Sequence, residues 1–540
     1  MKSESSVLRD FTVDRRVWLL SGLALIIGIG ATFLAVLLLR LIALSTNIFY
    51  YHRFSGVSAS PADSSLGPWM VMVPVLGGLM VGLMARFGSD KIRGHGIPEA
   101  IEAILLHRAR VEPKIAILKP ISAAIAIGSG GPFGAEGPII MTGGAFGSLI
   151  AQWIHLTDAE RTTLLVAGAA AGMSATFGTP VAAILLAVEL LLFELRPRSL
   201  APVAIASATA AILRGYLLGP GPLFRMPGIS DVDRIPFAIG SLLLGAVVGL
   251  IAAGMSRMMY AFEDLFESLP VHWMWWPALG GIGVGIGGLF FPRGLGVGYD
   301  NIAELLHGSA PIALILGILI AKSLMWAFSL GSGTSGGVLA PLLMIGGAVG
   351  ALAGRLGHVP SDMQAFWALI GMGAMLAGSL GVPITAILFS LEVTHCLPAL
   401  MPLTLGCVVS YLLTALLMPR SILTEKLSRR GYHLTREYGI DPLENVIVRD
   451  LMSPISPHAK SVEKTTAPEF FIYADCTCRS AAELMATEGI ASLPVVDRTT
   501  QRINGTITLQ DLLKGRSKAV VRERERLRLS HFNSPLGEHN

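Results

Sequence analysis

Charge is scarce in this chain. Of its 540 residues, 14% are Asp, Glu, Lys or Arg and 52% are hydrophobic, whereas a soluble domain carries roughly a quarter charged residues. That imbalance excludes a water-soluble globular protein. Cysteine is also rare. Cys396 and Cys407 lie in apolar stretches, and the Cys476-x-Cys478 pair stands alone, so neither a disulfide framework nor a zinc site is built from them. We find no Ser/His/Asp set, no metal-ligand cluster and no phosphate-cradling loop behind a strand. Nothing therefore supports an enzyme, and no cofactor is required.

What the chain has instead is apolar length. Runs such as Val17–Leu44, Met70–Met84, Phe237–Met255 and Pro311–Leu330 approach or exceed the ~20 residues that cross a hydrocarbon core. The expected fold is an all-α polytopic membrane protein set in a lipid bilayer. The polar segment 1–16 precedes an apolar stretch too long for a cleavable signal peptide. Arg15 and Arg16 ahead of the first span predict a cytoplasmic N-terminus. The net charge of +4 fits basic cytoplasmic loops and ends, not a nucleic-acid partner.

The chain also repeats itself at an offset of 203 residues. Gly128-Ser129-Gly130, Gly134, Pro138, Met141, Gly143-Gly144-Ala145, Gly147 and Leu149 return as Gly331-Ser332-Gly333, Gly337, Pro341, Met344, Gly346-Gly347-Ala348, Gly350 and Leu352, 11 identities in 25 positions. Gly178…Pro180…Ala183-Ile184-Leu185…Glu189 matches Gly381…Pro383…Ala386-Ile387-Leu388…Glu392 at the same offset, and Lys119 matches Lys322. Two equivalent halves with Gly/Pro-interrupted apolar segments are the sequence sign of a transporter whose site lies where the halves meet. Helices that end inside the membrane are tolerable only where the freed backbone lines a cavity or meets protein.

Three glycine-rich peptides stand at expected helix starts: Gly94-His95-Gly96-Ile97-Pro98, Gly134-Ala135-Glu136-Gly137-Pro138 and Gly337-Val338-Leu339-Ala340-Pro341. Each places Pro in a first helical turn, where its missing N–H costs nothing. A helix N-terminus offers unpaired N–H groups and about half a positive charge. Three of them meeting near mid-membrane would hold a dehydrated anion without the grip of a full Lys or Arg charge. Among these peptides Glu136 is the one carboxylate. Ionised, it would occupy an anion site itself; protonated, it would swing away.

These peptides resemble the signatures of the CLC family of chloride channels and chloride/proton antiporters. Gly94–Pro98 resembles the family's GSGIP element, Gly134–Pro138 its GREGP and Gly337–Pro341 its GxFxP. Lys119 stands 17 residues before Glu136, as the family's lysine does before its glutamate. The resemblance covers nearly the whole membrane body, residues 17–430, in halves of about 17–219 and 235–430. It implies an inverted repeat with broken helices, a homodimer with one pore per subunit, and location in a bacterial inner membrane. It makes Glu136 the gating and proton-carrying residue, and His95, Gly96, Ile97, Pro98, Gly137, Val338 and Leu339 the anion-binding set, with chloride as substrate. Glu189 and Glu392 are expected to satisfy buried backbone groups.

The chain departs from the family at four places. His95 stands where an anion-coordinating serine is usual. Pro419 falls where a helix would carry the family's anion-contacting tyrosine. Leu190 aligns with the inner proton-accepting glutamate of the antiporters; Glu194, four residues on and hence expected one turn along the same helix, is the substitute candidate. Ala135 replaces a basic residue before the gate, which weakens the external field. Without a carboxylate at position 190 and without the tyrosine, the balance tilts to a channel or weakly coupled conductor, with chloride/proton antiport as the alternative. A regulated cation transporter would call for several carboxylates along the path.

Past Pro419 the composition turns soluble-like. An extended piece is expected at Val446–Val448, a helix around Ala481–Met485, strands at Ser492–Asp497 and Gly505–Thr508, and a helix from Asp511. This pattern over 441–518, with an insertion near Ser461–Ala467, resembles a single CBS domain, a small α/β module. The resemblance implies adenine-nucleotide contacts at Thr508 and Asp511, against a purely structural reading in which Thr508 caps the next helix. Residues 519–540 form a charged tail.

Overall fold

The computed structural model describes residues 15–192, 194–227, 235–431, 443, 446–454 and 470–517; the expected insertion and charged tail lie outside them. The described residues separate into two compact units, one ending at 431 and one beginning at 443.

The membrane unit is helical, and the repeat is visible in its element order. Helices α1 (Arg16–Tyr51), α2 (Met72–Phe87), α3 (Ile97–Leu106), α4 (Pro113–Gly128), α5 (Glu136–Gln152), α6 (Asp158–Phe177), α7 (Pro180–Leu186, continued as a π-helix to Leu192) and α8 (Pro197–Leu217) form the first half. The second half follows with α9 (Ile235–Glu267), α10 (Trp276–Phe290), α11 (Tyr299–Leu306), α12 (Ile312–Gly317) joined by a π-turn to α13 (Ser323–Gly331), α14 (Leu339–Leu356), α15 (Ser361–Leu380), α16 (Pro383–Thr394) and α17 (Leu400–Leu417). A short α18 (Ile422–Arg429) closes the unit. Eight helices among the described residues are long and apolar enough to cross a membrane. Those at α14 and α15 are interior: 78% and 83% of their apolar windows are buried.

Local chemistry explains the breaks. Gly178 and Gly381 end α6 and α15 with φ of 70° and 72°, a left-handed turn that glycine adopts without steric penalty. Pro180 and Pro383 then open α7 and α16 at a position where no N–H is needed. Close helix contacts depend on small residues. A Cβ at Gly143 would strike the carbonyl of Gly168, and one at Gly346 would strike that of Gly371, its repeat mate.

Contacts between the halves are reciprocal, as a two-fold relation requires. Gly134 and Gly337 exchange N–H···O bonds of 3.2 and 2.9 Å. Gly78 packs on the Pro277 carbonyl while Gly281 packs on that of Pro74. Glu189 accepts from the Ile384 and Thr385 amides (3.3 and 2.9 Å), and Glu392 accepts from those of Val181 and Ala182 (3.0 and 2.8 Å). Each carboxylate thus caps the helix that opens the other half's last segment. The expectation that these two glutamates serve backbone amides holds, though those amides are part-buried or exposed rather than buried; the exchange of partners is what the tertiary structure adds.

The second unit contains a four-stranded mixed sheet in the order β1-β4-β3-β2, built from Ser453–Pro454 (β1), Ile472–Tyr473 (β2), Ser492–Val496 (β3) and Ile503–Thr508 (β4). The β3–β4 and β1–β4 pairs are antiparallel and β2–β3 is parallel. Two further helices in this unit are α19 (Val448–Leu451) and α20 (Cys478–Glu488), and 509–517 is helical. The expected extended piece at Val446–Val448 is shorter than read: Ile447 makes one bridge to Thr477 and α19 begins at Val448. Val448, Cys478, Ala481, Leu493, Val495 and Ile507 form its core.

Candidate functional site

The first turns of α3, α5 and α14 meet at one point. Gly94 N–H donates to the Thr334 carbonyl at 2.9 Å, and Gly134 pairs with Gly337. A Cβ on Gly96 would come within 2.6 Å of the Gly137 carbonyl, and one on Gly137 would strike that of His95 while lying 3.4 Å from the Gly337 Cα. Backbones approach this closely only because glycine stands at each contact; Gly96, at φ 90°, also occupies a region closed to L side chains. The first amides of each helix have no intrahelical acceptor.

Glu136 lies inside this junction with no exposed surface. Its carboxylate is folded against Gly134 and Gly337. The phenol of Tyr299 donates to Oε1 at 3.4 Å. The backbone amides of Glu136 and Ala340 and the charge of Lys322 act on the same group. No ion pair to Glu136 is present among the described residues; its contacts are peptide dipoles and a phenol, and the Lys322 charge acts on it from beyond ion-pair distance. Tyr299 opens α11 and is held edge-on by Phe177 and Phe224, with ring centroids 6.4 and 5.9 Å away.

The two repeat-related lysines do structural work of the same kind. Lys119 Nζ donates to the carbonyls of Ile92 (2.8 Å) and Gly94 (2.7 Å); Lys322 Nζ donates to those of Gly296 (3.0 Å) and Val297 (3.4 Å). Each fixes the loop before a short helix, α3 or α11.

The expected anion set falls largely at the junction. His95 is 2% exposed, and both ring nitrogens are buried with no hydrogen-bond partner among the described residues. Ile97, Pro98, Gly137, Val338 and Leu339 are buried around it. The Gly96 N–H is already engaged: it donates to Glu99 Oε2 at 2.9 Å. Glu99 Oε1 in turn accepts from Lys426 of α18 at 2.7 Å. Pro419 lies in the turn between α17 and α18; α18 reaches α3 through Lys426, and Arg430, just past its end, pairs with Glu102.

Glu194 is not where helical spacing puts it. The helix through Leu190 ends at Leu192, so Glu194 is no longer one turn along it. Its carboxylate accepts from Ser199 and pairs with Arg196 (3.4 Å) and Arg198 (3.7 Å). The π-turn over Ala187–Leu192 shifts the register that a uniform α-helix would have kept. Sequence reading also missed Tyr299, Glu99 and Lys426. The repeat held one usable signal: Tyr299 is the mate of Gly96, so a side chain stands in the second half where the first has none.

In the tail unit Thr508 and Asp511 hold each other. Thr508 Oγ1 donates to Asp511 Oδ2 (2.7 Å), the Thr508 N–H donates to the same oxygen (3.1 Å), and the Asp511 N–H donates back to Thr508 Oγ1 (3.3 Å). This is a capping box at the start of the 509–517 helix. The Thr508 hydroxyl holds the Asp511 carboxyl below the usual carboxylate range.

Comparison with known proteins agrees with this geometry. The family model for the voltage gated chloride channel matches residues 76–415, and that for the CBS domain matches 448–518. The voltage-gated ClC-type chloride channel ClcB of Escherichia coli is 31% identical over 410 residues, covering 74% of this chain and 96% of that protein. The putative chloride channel protein ClcB-like of Ralstonia nicotianae is 29% identical over 359 residues, covering 64% of this chain and 82% of that protein. Among solved structures, that of a slow cyanobacterial Cl−/H+ antiporter aligns with a TM-score of 0.67 at 22% identity, over 78% of this chain and 99% of the other. A CLC-type fluoride/proton antiporter aligns at 0.64 with 19% identity, over 76% and 98%. A helical, glycine-broken membrane unit with two equivalent halves defines an ion transporter of the CLC class. The chain belongs to the voltage gated chloride channel family, and it carries a C-terminal CBS domain.

Proposed function

We propose that the membrane unit passes chloride through the junction of α3, α5 and α14, with Glu136 as its gate. The observation that carries this reading is the Glu136 carboxylate lying against the N-termini of α5 and α14, at the junction these share with α3, where a transported anion would lie. Ionised, the carboxylate satisfies those peptide dipoles itself; protonated, it no longer competes with an anion for them. His95, buried with both ring nitrogens unpartnered, supplies a hydrogen-bond donor facing the same ion. The amides of Ile97, Gly137 and Leu339 complete the cradle, with Pro98 and Val338 shaping its walls.

The transport mode we infer is a channel or a weakly coupled conductor. Leu190 carries no proton, and Glu194 is tied to Ser199, Arg196 and Arg198, which supports the absence of an inner proton relay. The protein acts as a homodimer in the bacterial plasma membrane with both termini in the cytoplasm. Purified protein in liposomes, with chloride efflux and external pH recorded together in weakly buffered medium, tests the reading. Chloride efflux without proton movement is expected; stoichiometric proton uptake would establish antiport instead. For the tail, adenine nucleotide at Thr508 and Asp511 would have to displace the capping box, and calorimetry of the full chain with ATP, ADP and AMP tests that.

A further inference from the structure

Away from the junction, Arg214 is a buried cation with no acidic partner among the described residues. It lies in the last turn of α8, 7% exposed, beside a cavity of about 270 Å³ lined by Gly178, Pro180, Arg214, Gly215, Glu392 and His395 among others. Nη1 makes two long hydrogen bonds, to the carbonyls of Gly219 (3.4 Å) and Gly221 (3.5 Å). Nε is buried without a partner, and no bond engages Nη2 among the described residues. No carboxylate pairs with the guanidinium among the described residues. Glu392 borders the same cavity, yet both of its oxygens are taken by the Val181 and Ala182 amides. Gly178 is kept small against the cation: a Cβ there would stand 3.1 Å from Nη1.

A guanidinium removed from water without an anion is costly, and a ligand that supplies the anion removes that cost. The free edge, Nε with Nη2, is the edge that grips two oxygens of one oxyanion side by side. Arg214 stands near the end of a membrane-spanning helix, three residues before its last residue Leu217 and next to the almost fully exposed Tyr216 (84%). Helix ends carrying exposed aromatic rings lie at the level of lipid headgroups. We propose that this cavity binds a phosphate group, presented by a phospholipid headgroup or as free phosphate, through the Nε–Nη2 edge of Arg214.

The test uses the full chain in detergent, stripped of native lipid, at fixed chloride and ionic strength, with thermal unfolding as readout. The probes are dioctanoyl phosphatidylglycerol, dioctanoylglycerol, which lacks the phosphate, and inorganic phosphate. Phosphatidylglycerol is expected to raise the unfolding temperature saturably while dioctanoylglycerol does not. An equal, saturable rise with inorganic phosphate would assign the free ion as the source. Arg214→Gln should abolish the rise, and Arg214→Lys should weaken binding about tenfold, because an ammonium lacks the two-pronged edge. If Arg214→Gln does not fold, Gly215→Leu serves: a Cβ at Gly215 meets nothing within 4 Å, so leucine fills the cavity while leaving Arg214 in place, and it too should abolish the rise. No rise with either phosphate probe, or an undiminished rise in Arg214→Gln or Gly215→Leu, overturns the proposal.

Discussion

In the first half of the membrane unit Lys119 holds the carbonyls of Ile92 and Gly94, and in the second half Lys322 holds those of Gly296 and Val297. The supporting frame is the same twice: a lysine-braced loop, a short helix, and a buried helix opened by a Gly/Pro peptide. The occupants of that frame differ. Where the first half has Glu136 and Gly137 the second has Leu339 and Ala340, and where the first has Gly96 the second has Tyr299. One half supplies the carboxylate and the other the phenol that bonds to it. Duplication thus produced the junction, while divergence at a few positions within it produced the chemistry.

Removing the carboxylate should break that asymmetry most severely. Glu136→Gln keeps the side chain's shape and removes its charge, and chloride efflux from liposomes should persist while losing its pH response, varying less than about twofold between pH 5 and 7.5 because no titratable gate remains. Wild-type efflux should rise as pH falls, since protonation withdraws the competing charge. An unchanged pH response in the variant would remove Glu136 from the gate.

The next test concerns the closest backbone approach. Gly137→Ala drives a Cβ into the His95 carbonyl, and overpacking of this kind costs about 1–3 kcal/mol, enough to lower the unfolding temperature and abolish flux. Its mate Ala340 already carries a Cβ, so Ala340→Gly should cost about 1 kcal/mol or less. Equal effects of the two would mean that the first turns of α5 and α14 are packed equally tightly.

The exchanged caps offer a symmetric control. Glu189→Gln and Glu392→Gln should each destabilise by about 1 kcal/mol, because each weakens the cap on two helix-terminal amides, and the two losses should be similar in thermal unfolding. A smaller effect belongs to Tyr299→Phe. Deleting the one phenol bond to Glu136, worth about 1 kcal/mol, should raise neutral-pH efflux roughly fivefold by loosening the gate.

The least costly change tests capping without membrane or symmetry. Asp511→Asn weakens a box formed within one chain segment and should cost about 1 kcal/mol or less, seen as faster hydrogen exchange over 509–513. The Asp511 carboxyl is held below the usual range by Thr508, so its contribution is present above the unfolded value near ~4 and is lost as pH falls through the lower folded value. Exchange at 509–513 should accelerate on acidification in the wild type, and that acceleration should be absent in the variant.

Much of the site was legible because glycine and proline state backbone requirements in their own identity. Gly94–Pro98, Gly134–Pro138 and Gly337–Pro341 mark the starts of α3, α5 and α14, and the offset of 203 related two of them before any contact was visible. Tyr299 was legible only as the repeat mate of Gly96; its contact to Glu136 was not, because it spans 163 residues and no spacing rule connects the two. Glu194 was misplaced because a π-turn interrupts the helix through Leu190, and hydrophobic pattern does not report one added residue per turn.

The amino-acid sequence by itself determined that this protein lives in a membrane, that it is built twice, and where its helices break, since apolar length, repetition and Gly/Pro chemistry are local properties. Only the tertiary structure decided that Glu189 and Glu392 cap each other's halves, that Tyr299 meets Glu136, and that Arg214 has no acidic partner among the described residues. Those pairings depend on which distant surfaces fold together, and the chain's local preferences carry no record of that.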